Sequence, residues 1–113
     1  MDAFEKLDVW KRSSRLCVDL YKALKSCRDA GFRDQITRAA LSVPSNIAEG
    51  YERNSRNEFA RFLKIAKGSC GELRTQLYIG REIGHLDPSA AREFIRESSE
   101  VARMIGGLLL RLQ

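Results

Sequence analysis

Apolar residues recur at helical spacing along most of the chain, and four stretches stand out. The first runs from about Leu7 to Ser26. Its apolar positions are Trp10, Cys17, Leu20 or Tyr21, and Leu24, at intervals of three, four and seven. Arg28-Asp29-Ala30-Gly31 closes it, and Gly31 suits the left-handed position that follows a helix. The second runs from about Asp34 to Glu49, with the Asp34 carboxylate placed to cap its first amides. Ile36, Ala40, Val43 and Ile47 share one face. Pro44 sits inside this pattern. It removes a hydrogen bond and crowds the Ala40 carbonyl, so a kink or a break is expected there. Ser42, Ser45 and Asn46 stand close enough to satisfy the freed backbone groups, and Gly50 is expected to end the segment.

The third stretch has the strongest signals. Ser55-Arg56-Asn57-Glu58 has the form of a capping box, a serine followed three residues later by a glutamate. Behind it run Phe59, Phe62, Leu63, Ala66, Cys70, Leu73, Leu77 and Gly80, a stripe about six turns long. Gly84 is the expected stop. Asp87 then caps the fourth stretch, and Pro88 takes the first helical position, which favours proline. Ala91, Phe94 or Ile95, Ser98, Val101, Ile105, Leu108 and Leu112 form its stripe. Gly106-Gly107 interrupt it, each weakening a helix by about 1 kcal/mol relative to alanine. Four amphipathic helices with short links predict an all-α fold, an antiparallel up-and-down four-helix bundle, with residues 1–113 forming a single domain.

Composition narrows the picture. The chain has 113 residues, 43% of them hydrophobic and 31% charged, with 2 prolines and 8 glycines. That is a folding composition, with too few turn formers for a many-stranded sandwich. No apolar run approaches the roughly 18 residues of a membrane-spanning helix. Met1-Asp2-Ala3-Phe4-Glu5 carries two acids and no apolar stretch, so no signal peptide is expected there. Cys17, Cys27 and Cys70 are odd in number and scattered, which points to a reduced, cytoplasmic protein.

Charge is distributed unevenly. The net charge is +5, and residues 53–81 alone hold seven basic and two acidic side chains. At about 100° per residue, Arg56, Lys67, Arg74 and Arg81 fall within about 40° of one another, with Lys64 about 60° from Lys67. The file lies roughly 75° from the centre of the apolar stripe, a flanking face of the helix. Such a file suits a phosphate backbone, whose counterions it would release. The other reading is a contact face. Glu93, Glu97 and Glu100 line one side of the fourth helix and are placed to pair with these cations, within a subunit or between subunits. No stacking aromatics of the RNA-binding kind interleave the cations.

Catalytic signatures are missing. His85 is the one histidine, in an expected loop, and reads as a solvated side chain. There is no phosphate loop, no nucleophile elbow and no metal-ligand spacing. Neither an enzyme nor a cofactor nor a metal site is expected, and Cys70 and Cys17 read as small buried hydrophobes. The least generic stretch is Ser42-Val43-Pro44-Ser45-Asn46-Ile47-Ala48-Glu49-Gly50. Asn46 and Glu49 share a face near the core side. A buried Glu49 needs a cationic or hydrogen-bonding partner, such as Arg38 or an arginine of another helix. The pair either binds something or closes a proline-kinked helix.

That stretch, together with Phe4-Glu5-Lys6-Leu7-Asp8-Val9-Trp10, Gln35 to Arg38, Glu58-Phe59 through Phe62-Leu63, Ala66-Lys67-Gly68-Ser69 and Glu72-Leu73, resembles the four-helix bundle family of 23S rRNA intervening-sequence proteins. The likeness spans nearly the whole chain, departing at Cys27-Arg28-Asp29-Ala30-Gly31-Phe32, where the family often has a proline and an acidic pair. It implies a bacterial homopentamer around a central channel, with no established biochemical activity. A related branch, the accessory proteins of diversity-generating retroelements, implies contact with nucleic acid and with a reverse transcriptase through a basic barrel. Two functions follow as expectations. One is a non-enzymatic oligomer that binds RNA or DNA through Arg56, Lys64, Lys67, Arg74 and Arg81. The other is an adaptor bundle for a protein partner, with the same file used in subunit contacts.

Overall fold

The structure is a computed structural model that describes residues 3–113. A single 3₁₀ turn, Phe4–Lys6, leads into four α-helices: α1 (Asp8–Ala23), α2 (Ala30–Glu52), α3 (Arg56–Glu82) and α4 (Pro88–Arg111). No strand occurs among the described residues. Each helix packs on the next along the chain, and α1 closes the ring against α4, while the backbones of the diagonal pairs stay apart. With links this short, neighbours run antiparallel, as in an up-and-down bundle. The bundle measures 42 × 22 × 21 Å.

Local chemistry sets the boundaries. Asp87 accepts a hydrogen bond from the Ala90 amide at 3.1 Å, and Pro88 follows it. Ser55 accepts from the Glu58 amide at 3.3 Å. Only half of the expected box forms, because the Glu58 carboxylate turns to Arg61 and Arg53 instead of back to the cap. α3 ends at Gly84, whose φ of +83° is the left-handed conformation that glycine tolerates. His85 donates its amide to Gly80 O at 2.9 Å, and Gly84 donates to Arg81 O at 3.3 Å, closing the last turn.

α2 departs from the sequence expectation at both ends. It starts at Ala30, not Asp34, because the Asp29 carboxylate accepts the Phe32 amide at 3.1 Å and caps the helix five residues earlier. Gly31 therefore lies in the first turn of α2, and α1 has already ended at Ala23. Nor does the helix break at Pro44 or stop at Gly50; it is continuous to Glu52. Proline costs a helix roughly 3 kcal/mol. Complete burial of Ile36, Val43 and Ile47 stabilises by roughly 1.5–3 kcal/mol each, which outweighs that cost. Ser42 donates to Ala39 O at 3.0 Å and Asn46 to Ser42 O at 2.8 Å, so these side chains bond their own helix. Gly50 is a contact point. A Cβ there would lie 2.6 Å from the Cβ of Phe62 on α3. Gly106-Gly107 likewise leave α4 uninterrupted.

Two buried clusters fill the bundle. One, near the α1–α2 and α3–α4 links, joins Leu20, Leu24, Ile36, Leu73, Leu77 and Ala91. The other, near the opposite end, joins Val9, Val43, Ile47, Leu63, Val101 and Ile105. Of the two candidates on α1, Leu20 is buried and Tyr21 exposed.

Candidate nucleic-acid interface

Four basic residues of α3, Arg56, Lys67, Arg74 and Arg81, lie on the flank turned toward α4. Arg56 donates to Leu112 O at 3.2 Å, and Arg74 donates to Ser99 Oγ at 3.2 Å. The Arg81 guanidinium lies 5.3 Å from the ring centroid of Tyr78. The Lys67 ammonium reaches to 3.9 Å from where a Cβ on Gly106 would be. Lys64 is exposed, farther round the helix. Lys67 and Arg74 form one wall of a groove of about 810 Å³, and Ser99, Arg103, Gly106 and Leu110 belong to the other.

The acids of α4 do not meet this file. Glu97 takes two hydrogen bonds from Arg12 of α1, at 2.9 and 2.6 Å, on the far side of α4. Glu93 pairs with Arg96, and Glu100 with Arg103, each within its own helix. The pairing expected within the subunit does not form, because α1 sits against α4 and supplies the nearer cation to Glu97, and α4 supplies those of Glu93 and Glu100. Arg56, Lys64, Lys67, Arg74 and Arg81 form no ion pair among the described residues. Seven other arginines do: Arg12, Arg15, Arg33, Arg53, Arg61, Arg96 and Arg103. These five cations of α3 thus stand unneutralised along one helix.

Asn46 and Glu49 bond different partners and not each other. Asn46 bonds Ser42 of its own helix, while Glu49 is exposed and pairs with Arg53 at 3.0 Å, one turn on. Glu49 is not buried, so Arg38 has no partner role to fill. The hydrogen bond from Arg61, before the Coulomb attraction of Arg61 and Arg53, holds the Glu58 carboxyl below its ordinary range. His85 is not simply solvated. Its Nε2–H donates to Asp29 Oδ2 at 2.9 Å, and its ring meets Phe32 edge-on at 5.2 Å. The Asp29 carboxyl is held low, first by the Phe32 amide and then by His85. Burial pushes the Cys70 thiol up to about 11, against a smaller opposing pull from Arg74, so it is a poor nucleophile at neutral pH. No group of three or more His, Cys, Asp or Glu suited to a metal occurs among the described residues.

Two features of this flank are not evident from periodicity on α3 alone. The groove's second wall belongs to α4, so it depends on how the two helices dock. Tyr78, four residues after Arg74 and three before Arg81, had a signal in its spacing, but one aromatic makes no repeat.

The fold defines an all-α, antiparallel four-helix bundle whose charge is concentrated on one flank. The chain belongs to the family of 23S rRNA-intervening sequence proteins, whose sequence profile matches residues 5–107. This is not a known enzyme family. No curated protein matches the chain by sequence. No helix among the described residues is long and apolar enough to cross a membrane.

Proposed function

We propose that this chain is a non-enzymatic, cytoplasmic, nucleic-acid-associated protein that works as a homo-oligomer, with five copies as the family resemblance implies. The observation that carries the reading is the absence of acidic partners along the α3 file. Exposed cations are normally interspersed with acids that neutralise them, as seven other arginines here are. An unneutralised file on a groove wall draws phosphates, and each phosphate bound releases counterions. Repetition of the file around an oligomer multiplies the field.

Half-exposed apolar side chains support the oligomer. At about 100° per residue, Ile65, Ile79 and Ile83 lie on the flank of α3 away from the basic file, with Glu72 among them. On α1, Val18 and Tyr21 are exposed near Lys11, Lys22 and Lys25. The two faces are complementary in charge and differ from each other, so copies would join head to tail.

The test is binding of a labelled RNA hairpin followed against salt. Affinity should be measurable at about 50 mM salt and fall steeply above it, with a log–log slope that Lys67→Ala with Arg74→Ala makes shallower by about 1–2. The competing adaptor reading places the file in subunit contacts. In that case the same double variant dissociates the oligomer and leaves RNA binding unchanged. That result, or no binding at low salt, overturns the proposal.

A further inference from the structure

Resting on that reading of the basic file, we propose that it takes single-stranded rather than duplex nucleic acid, with one base stacked on Tyr78. Tyr78 lies one turn beyond Arg74 and about 40° from it around the helix, on the solvent side. It is also within about 20° of Lys67 in direction, so the ring continues the same flank. It is 46% exposed. Phe59 and Phe62, the other aromatics of α3, have different surroundings. Phe59 packs on the core cluster and Phe62 is buried under Arg53 and Arg61.

Arg81 fixes the platform. Its guanidinium covers one side of the Tyr78 ring at 5.3 Å and carries no carboxylate partner. The ring is held in place by the cation, and the exposed remainder faces solvent. A strand whose phosphates follow Lys67 and Arg74 would bring an unpaired base over this ring, with Arg81 left to take the next phosphate. In a duplex the bases are already stacked and turned inward, so the ring gains nothing from them. Every base has a π-face, so this contact selects strandedness and not sequence.

The experiment compares an unstructured labelled RNA oligonucleotide with the blunt duplex it forms with its complement, using the full chain. The single strand should bind more tightly. Tyr78→Ala should weaken single-strand binding about 5- to 100-fold, Tyr78→Phe should retain it, and neither should change duplex binding. Far-ultraviolet circular dichroism of each variant checks that the exposed substitution leaves the bundle folded. If the duplex binds as tightly as the single strand, or Tyr78→Ala binds like the parent, the stacking proposal is overturned. The phosphate reading then stands if Lys67→Ala with Arg74→Ala weakens both ligands. Binding of neither ligand overturns both.

Discussion

Gly50 and Gly80 mark where elements approach most closely, and they do so by lacking a Cβ. At Gly50 the obstructing atom is the Cβ of Phe62, which cannot swing aside without moving α3. At Gly80 the nearest atom is the ring tip of Phe32, at 2.5 Å, with Leu86 at 3.1 Å. Gly68 and Gly71, on the same helix as Gly80, have nothing within 4 Å. The same substitution therefore has opposite signs along the chain. Gly50→Ala is expected to destabilise by about 1–3 kcal/mol through overpacking. Gly68→Ala is expected to stabilise by about 0.5–1 kcal/mol, because alanine is the better helix former and nothing obstructs it. Urea unfolding of the two variants checks this, and equal effects would contradict the close crossing at Gly50. The sequence pattern alone marks Gly50 as a terminator. A glycine that ends a helix and one that admits a neighbour are the same letter, and only the packing of Phe62 separates them.

The links between helices carry more of the architecture than their length suggests. Asp29 caps α2 and also holds His85 from the α3–α4 link, so one carboxylate ties two turns at the same end of the bundle. Its folded-state pKa is lowered below the ordinary 3.8. Its contribution to stability is thus fully present above about pH 4 and is lost as pH falls through the lowered value. Asp29→Ala should lower the melting temperature at neutral pH and flatten the acid limb of the stability profile. A profile as steep as the parent's would show that the carboxylate does not act. Elements whose ends carry their own caps were legible from sequence: α3 from Ser55 to Gly84, and α4 from Asp87. α2 was legible only in its middle. Asp29 and Asp34 both suit a cap, and the choice falls to Asp29 because Phe32 packs on the core when the helix starts there. The basic file was legible because a spacing of seven fixes a flank. Its relation to Glu97 was not, since the partner of Glu97 comes from α1, which a pairwise comparison of α3 and α4 omits.

At the scale of the molecule, the exposed surface divides into three faces of different character. The α3–α4 groove is basic, with Leu110, 70% exposed, at its α4 C-terminal end. The outer face of α1 combines Lys11, Lys22 and Lys25 with Val18 and Tyr21. The other flank of α3 combines Glu72 with Ile65, Ile79 and Ile83, the last 53% exposed. Soluble surfaces carry scattered apolar residues at little cost, but three isoleucines on one flank beside Glu72, which forms no ion pair among the described residues, form a patch. A basic-apolar face and an acidic-apolar face on one chain attract each other between copies, and like faces repel. A two-fold dimer would have to bring like charges together, so head-to-tail rings are favoured, and rings close without leaving a face open. This assembly leaves the groove free for phosphates, which separates it from the adaptor reading. Ile79→Asp with Glu72→Lys should therefore shift the chain toward monomer in multi-angle light scattering, without loss of helix content. RNA affinity of each protomer should survive, while the apparent affinity of the whole falls, because several linked files bind a polyanion more tightly than one. Monomerisation that abolishes RNA binding outright would place part of the phosphate site between copies. An unchanged mass would remove the α3 isoleucines from the interface.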